Sequence, residues 1–437
     1  MRFSTIRDDG TMKNLLFELL RIAFGKREAL ICVPSEREWY AVFEEAQRQT
    51  VAGICLAGID RLMVQGSRLK VAMPFQLKME WIGQSEQIKQ QNEKVNGVLK
   101  ELASLLNENS VRYAVVKGQT IASYYSRLMV QGEGLTDDLG LLRQAGDIDF
   151  YVAPEDFERT KQLIKKAWGV TYEETEGHHH VEFEYKGVTL EQHHKLIKLY
   201  DKKKEGYWDK LMHDAFCEQE IGGVKVLVLS PTLHSLYIFL HLYHHLLELG
   251  VGLRQFCDWA VILHSCKEEI DHEAIRRHLK VLGMEKAYKA CGAILVEKLG
   301  LPADNFTYEL NDSDRKYGRK VMDVVDYRGN MGHYNLKGGY EGMWHNLEAT
   351  GIKIAHFMKF MPLAPGYSCR WLKAELKRKI TNKYFHFNFF VIFLFSSAVS
   401  HPQEKPGASG INFIKCAILI PVASRLCHIP SYPPFRL

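Results

Sequence analysis

The chain has 437 residues, 46% of them hydrophobic and 25% charged, which fits a globular protein of about two to three domains and excludes a disordered or fibrous one. Its formal net charge of +5 is small for this length, so bulk charge gives no argument for nucleic-acid binding. Nine cysteines without a C-x-x-C pair exclude a zinc ribbon and argue for reduced thiols; the cytoplasm is the expected compartment.

Residues 12 to about 110 are predicted helical. "SEREWYAVFEEAQRQTVAGICLAGIDRLM" opens with Ser35 in a capping position and Glu38 three residues later, and Trp39, Val42, Phe43, Ala46 and Val51 recur at helical spacing. "EWIGQSEQIKQQNEKVNGVLKELASLLNEN" repeats the pattern, with Val95, Val98, Leu99, Leu102, Leu105 and Leu106 on one stripe. The period changes at residue 111. "VRYAVVKG" has the make-up of a strand closed by Gly118, and "QTIASYYSRLM" can form a helix. Residues 130 to 142 are a glycine- and acid-rich insertion. "DIDFYV" is a second strand, stopped by Pro154, which opens the helix "PEDFERTKQLIKKAW". "HHVEFEYKG" and "VTLEQHHKL" then make a hairpin around Lys186-Gly187.

Helix returns at "SPTLHSLYIFLHLYHHLLELG", with Ser230 as cap, Pro231 in the first turn and Gly250 as stop, and further helices run to about residue 360. The last stretch turns basic, through Arg370, Lys373, Lys377, Arg378, Lys379 and Lys383, and then apolar. Neither apolar run of the tail reaches the ~20 residues that span a bilayer, so residues 385 to 437 read as a membrane-surface contact or as a poorly folded tail. The expected domains are helical over 1–110, α/β over 111–228 and helical over 229–365, followed by the tail at 366–437.

The chemistry centres on "QAGDIDFYV". Side chains alternate across a strand, so Asp147 and Asp149 share a face and their carboxylates can converge. Two such charges repel unless a cation lies between them, and Mg²⁺ is commonly held by one or two carboxylates plus substrate phosphates. Glu191, on the hairpin, is a candidate third carboxylate. The Lys117-Gly118 turn at a helix start is a candidate phosphate cradle. An ordinary amphipathic strand, with Ile148, Phe150 and Val152 buried and both aspartates in solvent, fits the same spacing.

Other signals are weaker. His241 and His245 share a helix face, but Leu242 stands where a zinc protease needs glutamate. His178, His179, His180, His193 and His194 fall on the hairpin, and His193 shares a face with Glu191, where it could orient that residue or touch phosphate. Arg254 and Asp258, one turn apart, read as an ion pair, with Arg254 also a candidate cation for a triphosphate.

"VVKGQTIASYY…LLRQAGDIDFYV" followed by "VEFEYKGVTLEQHH" resembles the uncharacterised nucleotidyltransferase-like family of the DNA-polymerase-β superfamily. The motifs that carry the likeness are the aliphatic-Lys-Gly strand end, the tyrosine-rich helix, Arg-x-x-Gly-Asp-Ile-Asp, and a hairpin bearing Glu with a nearby His. They span roughly residues 111 to 195, and flanking helical patterns such as "GVGLRQFCDWAVIL" extend the likeness to about 35–360.

The resemblance implies an α+β fold, with a small mixed-sheet core between N-terminal and C-terminal helical domains, the latter closing over the nucleotide. It makes Asp147, Asp149 and Glu191 the catalytic and metal-binding set for Mg²⁺ or Mn²⁺. Lys117, Gly118, Gln119, Arg143, Gly146 and His193 become nucleotide-facing. The implied reaction moves a nucleoside monophosphate from a nucleoside triphosphate to an unknown hydroxyl acceptor; the small net charge favours a small molecule, sugar or protein over nucleic acid. Two departures stand out: Gly118-Gln119 replaces the superfamily's Gly-Ser, and the stretch from Gly118 to Asp147 is longer than usual. They leave room for a catalytically weak nucleotide-binding or regulatory protein of the same fold, of the kind associated with toxin–antitoxin or surface-polysaccharide systems.

Overall fold

The computed structural model describes residues 9–64, 73–128, 138–173, 180–212, 215–330 and 343–381. Six strands form one mixed sheet: β1 (Tyr113–Val116), β2 (Ile148–Val152), β3 (His180–Tyr185), β4 (Val188–His193), β5 (Phe216–Ile221) and β6 (Val224–Leu229), in the order β3-β4-β2-β1-β6-β5. Two antiparallel hairpins, β3–β4 and β5–β6, sit at the edges. Between them β2 runs parallel to β4, β1 antiparallel to β2, and β1 parallel to β6. The fold is α+β, as the resemblance implies.

Sequence chemistry explains these choices. β1 is buried at all four residues, so its apolar run is continuous, as a strand covered on both faces requires. The β3–β4 turn places Lys186 at φ 52° and Gly187 at φ 67°, the left-handed pair that suits a two-residue hairpin. The β5–β6 hairpin and the Lys202–Met212 helix, which carry no strong sequence signal, complete the sheet region. In the first helical segment, Ser35 and Glu38 form the expected capping box. Ser230 is an N-cap with Pro231 in the first turn, but its side chain makes no cap hydrogen bond.

The two sheet faces differ. One packs Val115, Ile148, Phe150, Val152, Phe183 and Leu190 against the Phe75–Glu108 helix, through Val95, Val98, Leu99, Leu102 and Leu106, with Ile164 of the Phe157–Trp168 helix joining them. The other face, carrying Val116, meets a larger cluster that includes Tyr124 and Tyr125 of the Gln119–Arg127 helix and Tyr237 of the Pro231–Leu247 helix. Asp149 pairs in register with Val116 and so lies on this second face. Both faces of β2 are covered and Asp149 is buried, which removes the reading of an amphipathic strand for Asp149, while Asp147, one position before β2, is exposed.

Up to Ala374 the described residues form one compact unit. Among the described residues no helix is long and apolar enough to cross a membrane, and no cysteine is in a disulfide. Within the expected insertion, Leu139–Leu142 is a short helix whose N-cap Asp138 accepts from the Gly140 amide. The rest of that insertion, His178, His179 and the tail from 385 onward lie outside the described residues.

Gly53 lies on the Ala52–Val64 helix where it crosses the Leu139–Leu142 segment, and a Cβ there would meet the Leu142 carbonyl oxygen inside contact distance. Gly97, on the exposed side of the Phe75–Glu108 helix, has nothing within 4 Å of its Cβ position. Gly53→Ala should therefore destabilise by roughly 1–3 kcal/mol through overpacking. Gly97→Ala should stabilise by roughly 0.5–1 kcal/mol. Urea unfolding of the two variants checks the contrast.

Candidate active site

β1 ends in a turn that no ordinary residue pair would adopt. Lys117 has φ 59°, and Gly118 follows with φ 49° and ψ −115°, capping the Gln119–Arg127 helix. A side chain at Gly118 would be strained in this conformation and would bring its Cβ to 3.1 Å from the Asp147 carbonyl oxygen. The Thr120 hydroxyl holds the turn by donating to the Lys117 carbonyl at 2.6 Å. The turn aims the Lys117 ammonium across the sheet, to 2.7 Å from Asp149 Oδ1.

Asp149 is the buried member of the aspartate pair, with its side chain 7% exposed. The same oxygen lies 3.0 Å from His193 Nε2. Burial alone would raise the Asp149 pKa, but the Lys117 charge and the His193 hydrogen bond hold the carboxyl far below the ordinary range. Lys117 answers in kind: burial works against its charge, yet Asp149, Tyr237 and Glu191 raise its pKa and keep it an ammonium. Asp147, one position before β2, is exposed. Partial desolvation in the cleft, then the negative charges of Asp149 and Glu191, push its carboxyl up to about 6.

Glu191 reaches this group through register. β2 and β4 run parallel with Asp149 beside Glu191, and Tyr151 beside His193. His193 Nε2 lies 3.1 Å from Glu191 Oε2, so one buried imidazole braces both Asp149 and Glu191. Burial lowers the His193 pKa, but its hydrogen bonds to Asp149 and Glu191 outweigh that and leave it raised. From the opposite side, His241 of the Pro231–Leu247 helix brings Nε2 to 3.2 Å from Lys117 Nζ and 3.1 Å from His245 Nε2. Desolvation, then the Lys117 charge, drives the His241 pKa well down, so it faces Lys117 as a neutral ring.

Thus Lys117, Gly118, Asp147, Asp149, Glu191 and His193 come together at one end of the central strands, and Gly146 lies exposed beside Asp147. Among the described residues, the trio whose donor atoms all lie within 4.8 Å of one another is His180, Glu191 and His193 rather than the three acids.

Two sequence-predicted residues lie elsewhere. Arg143 is buried and makes a bidentate pair with Asp258, Nε to Oδ1 and Nη2 to Oδ2, both at 2.8 Å. With both prongs engaged and Tyr125 also donating to Asp258 at 2.9 Å, Arg143 ties the strand approach to the Leu253–Ser265 helix instead of facing a nucleotide. The expected Arg254–Asp258 pair is replaced by this one, and Arg254 Nη1 donates to the Gln144 carbonyl at 2.8 Å. Its Nε is buried without a hydrogen-bond partner, and Asp147 acts on it electrostatically. Gln119 turns away: its amide donates to Asn96 Oδ1, and the residue lines a separate pocket of about 510 Å³ with Ser123, Glu218 and Gly222. The sequence reading missed the Lys117–His241 contact; its one signal was the same-face spacing of His241 and His245.

The sequence matches the profile of a family described as "Uncharacterised nucleotidyltransferase" over residues 35–300. A solved structure to which the chain is similar, an antigenic nucleotidyltransferase-like protein from Paracoccidioides brasiliensis, shares 14% identity. That match covers 51% of this chain and 94% of that one, with a TM-score of 0.29. No curated protein matches the chain.

The two acids with opposite surroundings should respond oppositely to substitution. Asp258→Ala strands the buried Arg143 charge and should cost about 3–5 kcal/mol. Because the folded Asp147 titrates near 6 against an ordinary 3.8, the folded state binds more protons across that window, and Asp147 lowers stability as the pH rises through it. Asp147→Asn without divalent cations should therefore melt above wild type at pH 7.5, the gap closing below about pH 4. Thermal melts across pH check both.

Proposed function

The chain belongs to the uncharacterised nucleotidyltransferase family, and from that membership we propose that it moves a nucleoside monophosphate from a nucleoside triphosphate to a hydroxyl acceptor in a divalent-metal-dependent reaction. The observation that carries the reading is the meeting of Asp147, Asp149 and Glu191 with the Lys117-Gly118 turn at the mouth of the sheet. The donor set suits a hard divalent cation: carboxylate oxygens on adjacent strands, one exposed, around a position that already attracts the Lys117 ammonium. Asp147, Asp149 and Glu191 would hold Mg²⁺ or Mn²⁺, which when bound neutralises triphosphate charge and lowers the pKa of an acceptor hydroxyl.

The chain's own groups do the rest. Lys117, drawn from Asp149, turns to the phosphate oxygens, and Gly118 lets the backbone come close to them. Arg254, a half-buried cation on which Asp147 acts electrostatically, is a further candidate for that charge. His193 keeps Asp149 and Glu191 in one arrangement. In the transfer, the acceptor oxygen bonds to the α-phosphorus, the bond from that phosphorus to the bridging oxygen breaks, and pyrophosphate leaves with the electron pair. The acceptor proton passes to the carboxylate set, with Glu191 as the candidate base. A small molecule, sugar or protein is the favoured acceptor, since the net charge of +5 offers little to a nucleic acid. The unpaired cysteines suit a reducing compartment such as the cytoplasm.

One observation favours a second reading, a nucleotide-binding regulatory protein: Gln119 stands where the superfamily has serine, and its amide is tied to Asn96. The test is a panel of the four nucleoside triphosphates with Mg²⁺ or Mn²⁺, scored for thermal shift and for pyrophosphate release. Asp147→Ala and Asp149→Ala should lose metal-dependent triphosphate binding. Glu191→Gln should keep most of that binding while turnover falls by on the order of 10²-fold or more. Metal-dependent binding by wild type with no pyrophosphate from any acceptor would replace transfer with the regulatory reading.

A further inference from the structure

We propose that His180, Glu191 and His193 form a site for a first-row transition ion such as Zn²⁺ or Co²⁺ beside the aspartate pair, where the ion takes His193 Nε2 from its 3.0 Å contact with Asp149 Oδ1. Sheet register builds the site. In the antiparallel β3–β4 ladder His180 stands directly opposite His193, which places both rings on one face, with centroids 4.9 Å apart. Glu191 is two residues before His193 and therefore on that face too. Both imidazoles approach the same carboxylate oxygen, Glu191 Oε2, with Nε2 of His193 at 3.1 Å and Nε2 of His180 at 4.0 Å. One donor atom from each of the three residues lies within 4.8 Å of the other two.

These separations fit a shared ion. Metal–nitrogen and metal–oxygen bonds of about 2.0–2.2 Å put tetrahedral ligand atoms roughly 3.3–3.6 Å apart, between the two separations observed. Two imidazoles and one carboxylate leave positions open for water or substrate, the donor set of many catalytic rather than structural sites. The ligand chemistry also selects. Imidazole suits zinc, copper, iron and nickel, whereas magnesium takes oxygen and keeps its waters. His193 is nearly fully buried, the His180 and Glu191 side chains keep 20% and 19% of their surface exposed, and Glu173 bridges to Glu182 on the outer side of β3. The inference rests on the same strand ends as the proposed reaction and shares Glu191 and His193 with it, but the ion is held by protein groups alone and needs no triphosphate.

The experiment uses the full chain, stripped with chelator and titrated with Co²⁺ while visible d–d absorption is followed. Wild type should develop bands that Zn²⁺ abolishes and excess Mg²⁺ does not. His180→Ala and, separately, Glu191→Gln should weaken Co²⁺ binding by at least about tenfold while melting as wild type does. Asp147→Ala, which the proposed transfer reaction depends on, should keep the bands. The assignment is overturned if wild type gives no bands, or if His180→Ala gives them at the wild-type midpoint. It is also overturned if Asp147→Ala loses the bands while His180→Ala keeps them, which would put the ion between the aspartates. Failure of transfer appears instead as unaltered Mg²⁺-triphosphate binding in Asp147→Ala, so the two readings fail separately.

Discussion

A carboxylate sits inside the sheet at Asp149, where an unpaired charge would cost several kcal/mol. Two cationic or hydrogen-bonding partners offset that cost, each from a different part of the chain: Lys117 from the turn after β1 and His193 from the end of β4. Much of the surrounding design follows from keeping the three in contact. The left-handed Lys117-Gly118 turn directs the ammonium inward, the parallel pairing of β2 with β4 fixes His193 and Glu191, and the Pro231–Leu247 helix closes the group with His241.

The same arrangement makes the site changeable. Lys117 serves as the counter-charge for Asp149, and a divalent ion bound as proposed would compete for the same oxygen. Exchange of one positive partner for another leaves Asp149 paired in both states, so binding need not leave a buried charge uncompensated. In the proposed reaction the exposed Asp147 would be the entry point for the ion.

Local chemistry was readable along the chain. The Ser35–Glu38 capping box, the Lys186-Gly187 hairpin turn and the strands around Asp149 depend on neighbours or on a strong strand pattern, whereas Glu191 comes beside Asp149 only through the β2–β4 register. What escaped depends on partners far away in sequence. Arg143 matches the motif, but the acid that claims it is Asp258, reached only once the Leu253–Ser265 helix packs against the sheet. Gln119 follows the glycine as a nucleotide-facing residue would, yet the helix start rotates it toward Asn96. Arg254 and Asp258 have the spacing of an i, i+4 pair, and a bidentate partner with better geometry took the acid. His180 and His193 are thirteen positions apart and meet only because the hairpin register sets them opposite each other.

In the proposed reaction Asp149 exchanges Lys117 for a divalent ion when a triphosphate binds. The most direct measurement is a crystal structure of the full chain with Mn²⁺ and a non-hydrolysable nucleoside triphosphate, with manganese located by its anomalous scattering. A manganese peak is expected between Asp147 and Asp149, with Lys117 Nζ moved from its 2.7 Å contact with Asp149 onto a phosphate oxygen. A bound triphosphate that leaves the Lys117–Asp149 pair intact, with no manganese at the aspartates, would contradict that exchange.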